Sequence, residues 1–154
     1  MQSEILQRIN CGRDLEIYDE KDVDIVFMLK EDVIKQEIRE KRQDKKFRKL
    51  VEEKYGKCAI SGVITEECEV AHIKPFCECL EEEKYDIRNG ILLGAQIHKL
   101  FDKYFFTIHP NSLKIIVSDY AKEKNSSIVP YEGYKVDVSC EYLIHHYNKF
   151  MEKN

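Results

Sequence analysis

The sequence predicts an α+β fold: a strand–strand–helix unit at the centre, a helical N-terminal extension before it, and a β-hairpin and a C-terminal helix after it. Three observations lead there. From about position 57 to 118, short apolar runs of strand length alternate with turn residues. Within that region Ile97, Phe101 and Tyr104 recur at spacings of four and three, the signature of one helical face. Upstream, Glu31 to Tyr55 is charged, carries Val33, Ile34, Ile38, Phe47, Leu50 and Val51 at helical spacings, and has neither Pro nor Gly.

The chain of 154 residues is long enough for one domain with a real core and short for two, so a segment beyond that core is an elaboration of it. With 43% apolar and 35% charged residues and no low-complexity tract, it has the balance of a globular protein. No apolar run approaches the roughly 20 residues of a membrane span. Met1-Gln2-Ser3-Glu4 lacks the basic-then-apolar order of an export signal. The expected setting is therefore cytoplasmic, with Cys11, Cys58, Cys68, Cys77, Cys79 and Cys140 kept as thiols.

Taken in order, Asp14 to Tyr18 alternates like a short strand, and periodicity alone does not assign the apolar run Val23 to Leu29. Glu31 to Tyr55 reads as one long helix or two short ones, which Gly56 is well placed to end. Lys57 to Gly62 and Cys68 to Pro75 read as short extended pieces. An acidic loop runs from Phe76 to Arg88. Asn89-Gly90 then opens a short strand, Ile91-Leu92-Leu93, that passes through Gly94 into a helix from Ala95 to about Tyr104. Phe105 to Ile108 and Leu113 to Ser118, around His109-Pro110-Asn111-Ser112, predict a β-hairpin. Tyr142, Leu143, His146 and Phe150 predict the terminal helix, with His145 and His146 expected at its surface.

The formal net charge of −4 argues against a uniformly basic nucleic-acid-binding protein. Its distribution is uneven. Residues 1 to 32 are acidic, whereas residues 35 to 57 carry ten Lys or Arg against five acids, enough for a local basic surface including Lys45, Lys46, Arg48 and Lys49. Lys74 and Lys99, beside the central motifs, extend the set of candidate phosphate contacts. The acidic segment is a candidate surface for a protein partner.

Residues 69 to 102 hold the chemistry. His98 and Asp102, four apart on a helix, bring an imidazole nitrogen and a carboxylate oxygen to one side, a pair suited to a divalent cation such as Mg²⁺, Mn²⁺ or Zn²⁺. Two protein ligands leave positions for water and a phosphate. His72, on the facing strand, is a candidate general base, since a neutral imidazole accepts a proton near pH 7. Asn89, at a loop-to-strand junction, can donate and accept together, and so tie the loop to the backbone.

Ala71-His72-Ile73-Lys74-Pro75, Asn89-Gly90-Ile91-Leu92-Leu93 and His98-Lys99-Leu100-Phe101-Asp102, in that order, resemble the HNH endonucleases, in particular the branch found in bacterial restriction-like nucleases. The resemblance covers roughly residues 47 to 118, with a weaker echo in Tyr142 to His146. It implies a ββα-metal core spanning 56–118 of a nuclease domain at 47–154, after an N-terminal extension with a basic helix at 1–46. It implies that His72 is the general base, Asn89 the structural asparagine, His98 a metal ligand and Asp102 the second ligand. The implied activity is hydrolysis of DNA phosphodiester bonds, leaving 5′-phosphate and 3′-hydroxyl ends, in restriction or antiviral defence. The implied cofactor is a divalent metal ion, Mg²⁺ or Mn²⁺ first, with Zn²⁺ or Ni²⁺ as further fits.

One position departs from the family. Many ββα-metal nucleases place an Asp or His ligand directly before the base, and here that residue is Ala71. Glu69, two residues earlier on the same strand face, is a possible substitute. The departure and the acidic net charge keep two other readings open: a non-catalytic nucleic-acid-binding module of the same fold, and a subunit that a partner switches on.

Overall fold

The computed structural model describes residues 20–154. The short strand expected at Asp14 to Tyr18 lies outside the described residues. The chain forms two compact units divided between Arg42 and Gln43. The boundary falls inside a single helix, α1 (Glu20–Tyr55), so the charged stretch is one helix and the apolar run from Val23 is its early part. In the first unit Ile25, Phe27, Met28, Val33, Ile34 and Ile38 are exposed on this helix. Among the described residues, no helix is long and apolar enough to cross a membrane.

The second unit begins with the last turns of α1. Gly56 ends the helix at φ +68°, the left-handed conformation that glycine adopts without steric cost, and its N–H donates to the Glu52 carbonyl at 2.8 Å. Strands β1 (Cys68–His72) and β2 (Gly90–Gly94) pair antiparallel, with Val70 opposite Leu92 and His72 opposite Gly90. Helix α2 (Ala95–Asp102) follows β2 without a break, completing the strand–strand–helix unit. The hairpin β3 (Phe106–Ile108) and β4 (Ile115–Val117) comes next, then a short helix α3 (Asp119–Glu123) and the terminal helix α4 (Leu143–Lys153). The architecture is α+β.

Alternation along the β1–β2 ribbon separates two cores. Val70 and Leu92 face Phe47 and Val51 of α1, while Ala71, Ile91 and Leu93 face a larger cluster that includes Ile73, Phe101, Phe106, Ile108 and Leu143. Gly90 is where α1 comes closest. A β-carbon there would stand 2.5 Å from Val51 Cγ2 and 2.9 Å from Phe47 Cζ, so only glycine lets the helix lie against the ribbon.

His146 corrects an expectation. It is 2% exposed rather than at the helix surface, because α4 turns it inward with Leu143 and Phe150. Its ring stacks on Phe101 at 3.8 Å and on Tyr104 at 4.7 Å. A carbonyl only accepts, so Nε2–H donates to the Phe101 carbonyl at 3.1 Å, and Nδ1 of the neutral ring accepts from the Thr107 hydroxyl at 2.8 Å. Burial lowers its pKa to about 4. His145, one position earlier, is half-exposed and pairs with Glu78 at 2.5 Å.

Candidate active site

The two halves of the strand–strand–helix unit meet over a cavity of about 400 Å³. Arg48 of α1, His72 at the end of β1, and His98 and Asp102 of α2 line it together with Phe76 and Tyr104. Arg48 and His72, far apart in sequence, thus converge with the pair on α2.

His72 is fixed from two sides. Its ring stacks on Phe47 at 4.7 Å, and its Nε2 lies 2.8 Å from the Lys84 carbonyl. Because the carbonyl has no hydrogen to give, Nε2 carries the proton, and the neutral ring keeps its lone pair on Nδ1. Burial pushes the pKa of His72 below its ordinary value, and the positive charge of Arg48 acts in the same direction against the Lys84 hydrogen bond. The ring is therefore neutral at pH 7.

Asn89 is fully buried and holds the loop between the strands. Its Oδ1 accepts the Lys74 N–H at 2.8 Å, and its Nδ2 lies 3.3 Å from the Lys74 carbonyl, the Glu83 carbonyl and Cys79 Sγ. Its own carbonyl accepts from the Ile73 N–H at 2.9 Å. These bonds bracket His72 from the C-terminal side of β1 and fold the loop back over the strand end. Further ties secure the loop from outside: Tyr142 donates to Asp86 at 2.8 Å, and Glu78 binds both His145 and Lys149. The rest of the loop turns through short 3₁₀ segments at Phe76–Glu78 and Ile87–Asn89.

On α2, His98 Nε2 lies 3.2 Å from Asp102 Oδ2. Two ligand atoms bound at about 2.1 Å and at right angles to each other on one cation stand about 3 Å apart, so the pair has the spacing of two ligands of one ion. An imidazole and a carboxylate also suit Mg²⁺, Mn²⁺, Zn²⁺ or Ni²⁺ by type. Ala71 is 1% exposed in the main core and contributes nothing to such a site. Among the described residues no group of three or more His, Cys, Asp or Glu is placed to hold a metal ion. Glu69 lies on the other side of the His98 ring, its Oε2 2.6 Å from Nδ1.

The basic residues separate. Lys45, Lys46 and Lys99 are exposed, Arg48 reaches the cavity while bonded to Asp44 at 2.9 Å, and Lys49 is loosely paired with Glu53 at 3.9 Å. Lys74 turns into the loop, where Glu83 holds its ammonium at 2.7 Å and its side chain is only 18% exposed. Sequence reasoning missed Tyr104 and Phe76 as cavity walls. The positive φ of Tyr104, +57°, places it just past the end of α2, and no residue type in the sequence signals that turn.

Residues 58–109 match the family model of the HNH endonucleases. The match includes His72, Asn89, His98 and Asp102. Among solved structures, the chain is similar to a modification-dependent TagI restriction endonuclease, at 17% identity and a TM-score of 0.46, over 70% of this chain. The chain spans 37% of the length of that protein. Among curated proteins, none matches. By the family match, the part of the chain that carries the strand–strand–helix unit belongs to the HNH endonuclease family.

Proposed function

We propose that this chain is a metal-dependent endonuclease that hydrolyses DNA phosphodiester bonds, acting in restriction or antiviral defence. The observation that carries the reading is the pairing, across one cavity, of a neutral histidine base with a His–Asp pair at ligand spacing.

His98 and Asp102 would hold the divalent ion, which supplies positive charge to the developing phosphorane and to the leaving 3′ oxygen. His72, with Nε2–H committed to Lys84, takes the proton of the attacking water on Nδ1. Asn89 keeps the His72 strand end and the loop in place and touches no reacting atom. Arg48 at the cavity rim meets a non-bridging phosphate oxygen, exchanging Asp44 for it, and Lys45, Lys46, Lys49 and Lys99 extend the contact along the backbone. The aromatic walls Phe76 and Tyr104 narrow the cavity around one phosphate.

A second reading is favoured by the two-donor set and the buried Ala71: an HNH-fold subunit that becomes active only when a partner completes the site. Purified protein incubated with supercoiled plasmid and Mg²⁺, Mn²⁺ or EDTA separates the two. Nicking with either ion and none with EDTA supports the endonuclease. Plasmid left intact under every ion supports the partner-activated subunit.

A further inference from the structure

We propose that Glu69 is the positioning residue of the cation site, holding the His98 ring so that Nε2 is the nitrogen offered beside Asp102. This rests on the metal-dependent reading above. Glu69 belongs to β1 and His98 to α2, and they meet because Glu69 pairs with Leu93, one residue before the Gly94 that leads into the helix. Glu69 Oε2 and His98 Nδ1 are 2.6 Å apart. An ionised carboxylate only accepts, so Nδ1 carries the hydrogen, and whenever the ring is singly protonated its lone pair is on Nε2. That lone pair faces Asp102 Oδ2 at 3.2 Å. At that distance a proton on Nε2 or a metal ion can join the two atoms, and with Nδ1–H committed to Glu69 it is the Nε2 lone pair that a metal ion beside Asp102 would meet.

Glu69 occupies the nitrogen that is not offered, which distinguishes positioning from ligation. A carboxylate on the far nitrogen of a ligating histidine fixes the ring's tautomer and orientation and raises its basicity, and its removal typically costs about 10–100-fold in metal affinity. The Glu69 side chain is 55% exposed, so its replacement leaves no hole in either core.

Two measurements test this on the full chain: calorimetric titration with Mn²⁺, and the His98 tautomer in the metal-free protein read from ¹⁵N NMR shifts of the ring at slightly alkaline pH. The wild-type protein is expected to bind Mn²⁺ and to show the Nδ1–H tautomer. Glu69→Ala is expected to bind at least about 10-fold more weakly and to shift His98 toward the Nε2–H tautomer that free imidazole side chains prefer. Glu69→Gln, whose amide oxygen accepts the same hydrogen bond, is expected to restore most of both. Unchanged affinity and tautomer in Glu69→Ala overturn the proposal and leave Glu69 a surface carboxylate. A loss in Glu69→Gln as large as that in His98→Ala also overturns it, by making Glu69 a ligand. Absence of Mn²⁺ binding by the wild-type protein overturns the metal-dependent reading along with it, an outcome that the Glu69 variants alone cannot produce.

Discussion

His72 gives its Nε2 hydrogen to the Lys84 carbonyl at 2.8 Å, and that single bond assigns the ring's other nitrogen to any proton-accepting role. The carbonyl belongs to the loop that Asn89 holds in place, so the tautomer of His72 depends on the loop's fold. A local hydrogen bond thus links packing to chemistry.

The pH profile follows from this environment. Burial and Arg48 keep the pKa of His72 below its ordinary 6.5, so the base is unprotonated through the neutral range. Cleavage rate at saturating metal is expected to be level from about pH 7 upward as far as His72 governs it, and to fall tenfold per pH unit only below 6.5. A profile still rising tenfold per unit above pH 7 would contradict a buried, neutral base.

Asn89→Ala removes a fully buried side chain and leaves the Lys74 N–H without its partner. A loss of about 2–3 kcal/mol in urea unfolding is expected, with activity falling further than stability because the Lys84 carbonyl is released from its position. A loss below about 0.5 kcal/mol would mean that the loop is held by its outer ties alone.

Gly90→Ala forces a methyl group into Val51 and Phe47. Destabilisation of about 1–3 kcal/mol is expected, and the double variant with Val51→Ala should recover part of it, a non-additivity measurable by denaturant titration. Strict additivity would show that α1 shifts freely on the ribbon.

His146 makes the fold acid-sensitive. Its folded-state pKa of about 4 lies below the ordinary 6.5, so the folded protein binds fewer protons than the unfolded chain between those values. Its contribution is complete above pH 6.5 and is lost as pH falls toward 4, by up to about 3 kcal/mol. His146→Gln should lower stability at pH 7 and flatten its decline between pH 6.5 and 4, read from urea midpoints at each pH.

The sequence made the strand–strand–helix unit legible because its three motifs combine chemistry-bearing residues with apolar neighbours of the right period. Ile91 to Leu93 and the Ile97–Phe101 spacing place Asn89 and His98 on defined elements before any coordinates are known. Gly56 was legible for the same reason, as a glycine at the end of a long helical pattern. What stayed hidden depends on pairings between distant segments. The register that brings Glu69 to His98 and the stacking that buries His146 on Phe101 arise from which strands and helices adjoin. Lys74 reads as a phosphate contact from its neighbourhood in sequence, yet the fold of the loop commits it to Glu83.

The central claim is that His72 is the base and the His98–Asp102 pair the cation site, and the His72→Ala variant tests it most directly. Nicking of supercoiled plasmid by wild-type and variant protein in Mn²⁺ would be followed alongside calorimetric Mn²⁺ titration of both. Cleavage reduced by about 10²-fold or more with Mn²⁺ affinity unchanged is the predicted result. Cleavage at the wild-type rate, or a variant that no longer binds Mn²⁺, would contradict the assignment.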